Sequence, residues 1–272
     1  MGRIEEKFDE LKGKKEKALI AFISAGDPDI DTTKSLVLEM ERRGADIVEL
    51  GVPFSDPLAD GPVIQKSYLR ALKGKTSLKK IIKMVKELRK KTDVPIVLMS
   101  SYNPVLRYGE VKFVNDAVIS GIDGVIIPDL PPEESDNLCK MASQKGLDTV
   151  FLLAPTSDDE RMKLICGRSC GFIYYISVTG ITGARKSLSD NIGRMVKKIK
   201  RFTDLPVAVG FGVSSPEQAE KVARYSDGII VGSAIVKIIE KTGQDRKRLV
   251  KKVGKFIKGL KEAISPTNRQ KI

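Results

Sequence analysis

Eight short apolar runs recur along this chain of 272 residues, most of them followed by a turn and then a stretch of helical spacing. That alternation limits the possible folds more than any other feature. The runs cover residues 19–24, 46–51, 95–100, 124–129, 148–154, 171–177, 206–210 and 228–232. Most are continuous in Val, Ile and Leu rather than alternating with polar residues, the pattern of parallel strands covered on both faces. Residues 31–43, 77–91, 110–120, 132–144, 157–167, 190–202, 216–225 and 245–264 read as helices. Proline in the first turn marks two of the helix starts, at Ser215-Pro216-Glu217 and Pro131-Pro132-Glu133. Eight such units close into an α/β fold of the (β/α)8 TIM-barrel type. An open doubly wound sheet would use fewer strands, about five to seven. No composition shift or linker divides the chain, so the expectation is one barrel domain over 1–272. Ile4, Phe8 and Leu11 predict an extra N-terminal helix within 1–17, and the polar stretch 265–272 reads as a frayed tail.

Composition removes several chemistries. The chain has no histidine, which excludes Ser-His-Asp and Cys-His arrangements and histidine-based metal sites. Acid–base work must fall to Asp, Glu, Tyr, Lys or Cys. Cys139, Cys166 and Cys170 lack zinc-type spacing and read as reduced thiols, with no metal expected. No run approaches the roughly 18 apolar residues of a membrane span, and residues 1–17 lack a signal-peptide core, so a soluble cytoplasmic protein is expected. The net charge of +13 raises a nucleic-acid partner. The basic residues are interleaved with acids, as across 79–91, and no aromatic-interleaved basic patch appears, so a solvated surface is the better reading and no nucleic acid is expected. A Lys- and Glu-rich surface also suits a hot environment.

The barrel reading fixes where chemistry must sit, at the C-terminal strand ends and the loops that follow them. Glu49 interrupts an apolar strand where Val or Ile would be cheaper, and the Gly/Pro-rich loop after it carries Asp56 and Asp60. A carboxylate at a buried strand tip is costly unless it is paired, protonated or used. No strand core offers Glu49 a cation. An apolar mouth would raise its pKa and suit it to shuttling a proton, while a solvated Asp60 would stay ionised. Gly210, Gly212, Gly232 and Ser233 follow the last two strands, and Gly183 lies in the long loop 179–185 before them. Such glycines allow backbone N–H groups to cradle a phosphate, and the long loop suits a lid. Two carboxylates with different roles beside a phosphate anchor indicate proton-coupled cleavage or isomerisation of a phosphorylated metabolite. A sugar-phosphate isomerase remains open at this point, as does a regulatory subunit inactive alone.

The run from Glu49-Leu50-Gly51-Val52-Pro53-Phe54-Ser55-Asp56-Pro57 to Leu58-Ala59-Asp60-Gly61-Pro62 closely resembles the signature of the tryptophan synthase alpha subunit family. The likeness continues through Pro128-Asp129-Leu130-Pro131, Val178-Thr179-Gly180-Ile181-Thr182-Gly183-Ala184, Gly210-Phe211-Gly212-Val213 and Gly232-Ser233-Ala234. It spans about 22–240. The resemblance implies a lyase of tryptophan biosynthesis that cleaves indole-3-glycerol phosphate to indole and glyceraldehyde 3-phosphate. It implies Glu49 as acid–base residue, Asp60 on the indole N–H, and Phe22, Ile64, Ile126, Tyr174 and Phe211 around the indole. Thr182 would contact the catalytic aspartate from the lid, and Gly183, Gly212, Gly232 and Ser233 would hold the phosphate. It further implies no cofactor in this chain and a pyridoxal-phosphate beta subunit as partner in an alpha2-beta2 heterotetramer that channels indole. Pro53, Asp56 and Pro57, with the loop after Asp129, would form the docking surface. The sequence departs from the family at Ser100-Ser101-Tyr102, where bulkier residues are common, and Tyr102 is the residue assigned to the pocket there.

Overall fold

The computed structural model describes residues 2–177, 185–210, 212–243 and 245–265. Its strands are β1 (Ala18–Ser24), β2 (Ile47–Gly51), β3 (Ile96–Met99), β4 (Gly124–Ile126), β5 (Asp148–Val150), β6 (Leu152–Leu153), β7 (Ile173–Ile176), β8 (Val207–Gly210) and β9 (Gly228–Val231). They form one sheet in the order β5-β4-β3-β2-β1-β9-β8-β7-β6, with every pairing parallel. Only Phe151 separates β5 from β6, so both edges of the sheet belong to one segment, 148–153. The barrel closes there: the first half of the segment pairs with β4 and the second half with β7. The fifth apolar run of the sequence is thus one strand in two ladders, and the eight-unit barrel expectation holds.

Around the sheet lie α1 (Arg3–Gly13), α2 (Ile30–Arg42), α3 (Pro62–Lys73), α4 (Leu78–Leu88), α5 (Tyr102–Tyr108), α6 (Glu110–Ser120), α7 (Asp136–Lys145), α8 (Asp159–Arg168), α9 (Arg185–Ile199), α10 (Pro216–Ala223), α11 (Ser233–Thr242) and α12 (Arg246–Ile264). Three of them, α3, α5 and α11, are additions to the sequence reading. The inner face of α3 mixes hydroxyl and apolar residues (Ile64, Ser67, Tyr68, Ala71), which blurs its stripe. The α5 helix is short, and the apolar residues of α11 run on from β9 with only Gly232 between. Residues 132–144 are not one helix. A 3-10 turn at Pro132–Glu134 precedes α7, and the Ser135 hydroxyl at the joint donates to the Pro132 carbonyl at 2.7 Å.

The strand pleat sorts side chains between two cores, since successive residues face opposite sides. Ala18, Ile20, Ile47, Val97, Ile126, Val150, Ala208 and Ile230 point into the barrel, while Leu19, Ala21, Val48, Leu50, Ile96 and Leu98 pack against the helices. As its spacing predicts, α1 buries Ile4, Phe8 and Leu11, and these plug the N-terminal end of the barrel. The Phe8 ring lies tilted on Phe172 with centroids 5.9 Å apart. Each such buried apolar side chain stabilises the fold by roughly 1.5–3 kcal/mol.

One device recurs on that N-terminal face. Asp46 accepts the Leu19 N–H at 2.7 Å, Asp123 the Ile96 N–H at 2.7 Å and Asp227 the Val207 N–H at 2.9 Å, so each aspartate ties its own strand to the neighbour. Each also holds a cation: Lys261 at 2.8 Å, Arg89 at 2.6 Å and Lys200 at 2.8 Å respectively. These three acids are paired and act as fasteners. Asp123→Ala strands the Arg89 guanidinium and the Ile96 N–H, and urea denaturation should show a loss of about 3–5 kcal/mol.

Candidate active site

The pleat also decides the position of Glu49. Ile47, Glu49 and Gly51 share the barrel side of β2 while Val48 and Leu50 face helices, so the sequence Ile-Val-Glu-Leu-Gly necessarily turns the carboxyl inward. Glu49 is 1% exposed, and neither carboxyl oxygen has a hydrogen-bond partner among the described residues. Burial, and after it the charge of Asp60, pushes its pKa up to about 8. At neutral pH Glu49 is therefore protonated and able to donate.

Asp60 reaches the same place from the loop between β2 and α3. Its N–H donates to the Pro57 carbonyl at 3.1 Å, and its own carbonyl accepts from the Gln65 side chain at 2.8 Å, which fixes the loop to the first turn of α3. Pro62 starts that helix with Gly61 as the capping residue. Asp60 is half-buried, and burial followed by the charge of Asp129 pushes its pKa up to about 6. Two carboxyls with separated pKa values, one neutral and one ionised at pH 7, are the arrangement expected of an acid and an electrostatic partner.

Phe22 pairs in register with Glu49 and belongs to a small apolar cluster with Ile64, Tyr68 and Val236 at the barrel mouth. The approach over the end of β2 requires glycine. A Cβ on Gly51 would lie 2.6 Å from the Phe22 ring and 2.7 Å from the Tyr68 hydroxyl. Tyr174 is seated similarly over Gly210, where a Cβ would come within 2.8 Å of its ring. Burial first, then the two acids, holds both phenols well above their ordinary pKa, with Asp60 the larger charge at Tyr68 and Glu49 at Tyr174. Ile126 is fully buried in the barrel interior below the mouth. A small cavity of about 10 Å3 opens here, bounded among others by Asp60, Tyr68, Met99, Ser101 and Asp129.

The glycine residues expected at the phosphate lie at adjacent strand ends. Gly212 has φ +62 with open space where a Cβ would stand, a left-handed conformation that favours glycine. Gly232 is the capping residue of α11, and Ser233 opens that helix with no side-chain cap. Its first-turn amides and the helix dipole therefore present a site suited to an anion. Thr182, Gly183 and Phe211 lie outside the described residues.

Two expectations need correction. The Tyr102 side chain is not at the cavity: its hydroxyl donates to Glu110 at 3.0 Å and its ring packs on the strand–helix side. Only its backbone serves the mouth, donating to Asp129 at 2.8 Å. Tyr102 starts α5, which turns the ring away and leaves Met99, Ser100 and Ser101 at the opening. Pro53 is buried in the chain's own fold, so the exposed surface of its loop is carried by Asp56, half-buried Pro57 and Leu58, which is 86% exposed. Sequence reasoning missed Tyr68 and Met99. The i, i+4 pairing of Tyr68 with Ile64 and the inward parity of Met99 with Val97 were the available signals.

A family model described as tryptophan synthase alpha chain matches residues 8–265. The tryptophan synthase alpha chain of Geotalea uraniireducens is 51% identical over 264 residues, covering 97% of this chain and 98% of that relative. That of Thermoanaerobacter pseudethanolicus is 47% identical, with 97% and 100% covered. Among solved structures, tryptophan synthase subunit alpha of Legionella pneumophila superposes with a TM-score of 0.90 at 36% identity, covering 97% of this chain and 98% of that one. Mycobacterium tuberculosis tryptophan synthase gives 0.87 at 34%, again with 97% and 98% covered.

The raised pKa of Glu49 has a consequence for stability. The folded state holds this proton up to about pH 8, whereas an unfolded glutamate releases it near 4.5. The folded state binds more protons in that window, so the stability due to Glu49 is full below pH 4.5 and lost as pH rises through 8. Chemical denaturation at several pH values should show the wild-type chain losing on the order of 3–5 kcal/mol relative to Glu49→Gln between pH 4.5 and 8.

Proposed function

The chain belongs to the tryptophan synthase alpha chain family, and we propose that Glu49 and Asp60 carry that family's cleavage of indole-3-glycerol phosphate to indole and glyceraldehyde 3-phosphate. The observation that carries the reading is the Glu49 carboxyl, buried without a partner and protonated at neutral pH beside an ionised Asp60. Glu49 gives its proton to indole C3. The ring becomes an indolenine cation, whose N–H donates to the Asp60 carboxylate. The bond between C3 and the glycerol carbon then breaks, and its electron pair restores the aromatic indole. The hydroxyl on that carbon becomes the aldehyde carbonyl as its proton passes to Glu49, which returns to its starting form. No external acid or base is consumed.

The remaining assignments follow the same proposal. Phe22, Ile64, Ile126 and Tyr174 enclose the indole, Phe211 joins them and Thr182 closes over Asp60. The amides of Gly183, Gly212, Gly232 and Ser233 hold the phosphate, which accounts for the absence of a lysine from these assignments. Asp56, Pro57 and Leu58 meet a beta subunit in an alpha2-beta2 heterotetramer located in the cytoplasm, and the pyridoxal phosphate belongs to that partner.

Glu49 must be protonated and Asp60 ionised for the first step. Indole release by the isolated chain should therefore give a bell-shaped kcat/KM profile with limbs near pH 6 and 8. Glu49→Gln should lower kcat by about 10²–10⁴-fold; full turnover by that variant would eliminate the mechanism. For the partner surface, Asp56→Ala should weaken association with a beta subunit about tenfold in analytical ultracentrifugation while leaving the isolated chain's turnover unchanged.

A further inference from the structure

Both catalytic carboxyls sit in a chain without histidine, and among the described residues no cation borders the cavity that opens beside Asp60. What donors could steady an ionised aspartate there is therefore a short question. Ser100 donates to the Ser101 carbonyl at 2.8 Å. Tyr68 remains. It lines the cavity together with Asp60, and its hydroxyl has no hydrogen bond among the described residues. The ring is 2% exposed, held by the α3 face of Ile64, Ser67 and Ala71 and by the mouth cluster with Phe22 and Val236. Ser67 fastens that helix by a short buried hydrogen bond to Ser24 at the end of β1, 2.5 Å long. The hydroxyl stands over Gly51, which is two residues beyond Glu49 on the same side of β2. It therefore hangs above the acid, on the loop side where Asp60 enters.

We propose that Tyr68 is a positioning residue of this reaction, whose phenolic O–H donates to the Asp60 carboxylate in the substrate complex and holds it ionised and aimed at the ring N–H. The inference rests on the proposed cleavage reaction and extends it to a residue from the helix behind the catalytic loop. A donor of this kind is needed because Asp60 has opposing neighbours. Glu49 from β2 and Asp129 from the loop after β4 are both acidic, and the other phenol, Tyr174 from β7, lies on the Glu49 side. Without a donor, burial and the Asp129 charge favour the protonated form of Asp60, while Glu49 and Tyr174, both neutral at working pH, offer it no counter-charge. Burial keeps the Tyr68 phenol neutral throughout the working pH range, so it can donate and cannot compete as a base. Catalytic hydrogen bonds commonly tighten only once substrate is bound.

The test is Tyr68→Phe, which keeps the ring and removes the hydroxyl. Carbon-13 NMR of labelled aspartate follows the Asp60 titration in both chains, with an indole-propanol phosphate as the bound probe. A donated hydrogen bond lowers the pKa of the acceptor carboxyl, so its loss should raise the Asp60 midpoint by at least about half a pH unit. The acid limb of the kcat profile, which reports the substrate complex, should move up by the same amount, and kcat at pH 7 should fall about tenfold, in keeping with a hydrogen bond to a charged group. An unmoved midpoint and limb, with or without a lower melting temperature, would make Tyr68 only a wall of the pocket and overturn the proposal. A wild-type chain that released no indole would refute the reaction instead, and the NMR titration would still decide the hydrogen bond.

Discussion

A carboxyl group enclosed in a barrel with nothing to bond to is the constraint from which the rest of this site follows. Glu49 occupies an inward position that any Val or Ile would fill at no cost, and it keeps its proton because burial and the charge of Asp60 disfavour the ionised form. The opposite end of the same barrel shows the ordinary solution. Asp46, Asp123 and Asp227 each take a backbone N–H and a Lys or Arg partner. These acids thus differ in kind from Glu49: the three aspartates at the N-terminal end join neighbouring strands, and at the C-terminal end Glu49 is held in a reactive form. The physical difference is the presence or absence of a counter-charge.

The second acid is governed by where its loop comes to rest. Asp60 is carried on a segment tied back to α3, which leaves it between the mouth cavity and Asp129. Being only half-buried, it ionises about two pH units below Glu49. Unequal burial gives each carboxyl a separate state at neutral pH. Aromatic rings complete the arrangement because glycine at 51, 210 and 232 leaves room for them directly above the strand ends.

Much of this was legible in the sequence. Continuous apolar runs followed by helical spacing gave the barrel, and the spacing of Ile4, Phe8 and Leu11 gave the plug at its base. Glu49 was conspicuous because charge inside an apolar run has few structural uses. What escaped notice depended on direction rather than residue type. Tyr102 is aromatic and close to the third strand, but as the first residue of α5 it turns toward Glu110. Tyr68 lies on a helix whose inward face carries Ser67 and Ala71, so no strong apolar stripe marked it. Residues 148–154 read as one strand, and only the pairing partners show that it serves two ladders.

The alternation of inward and outward positions along β2 bears on how such a chain can diverge. Lengthening or shortening a connecting loop leaves the strand faces unchanged, so drift of that kind is tolerated around the rim. Deleting one residue between Asp46 and Glu49 would instead rotate the acid toward α2 and α4 and bring a neighbour's aliphatic chain into the lumen. Substitution can therefore explore this strand freely only one side at a time, while insertions and deletions there are closed to descent with function.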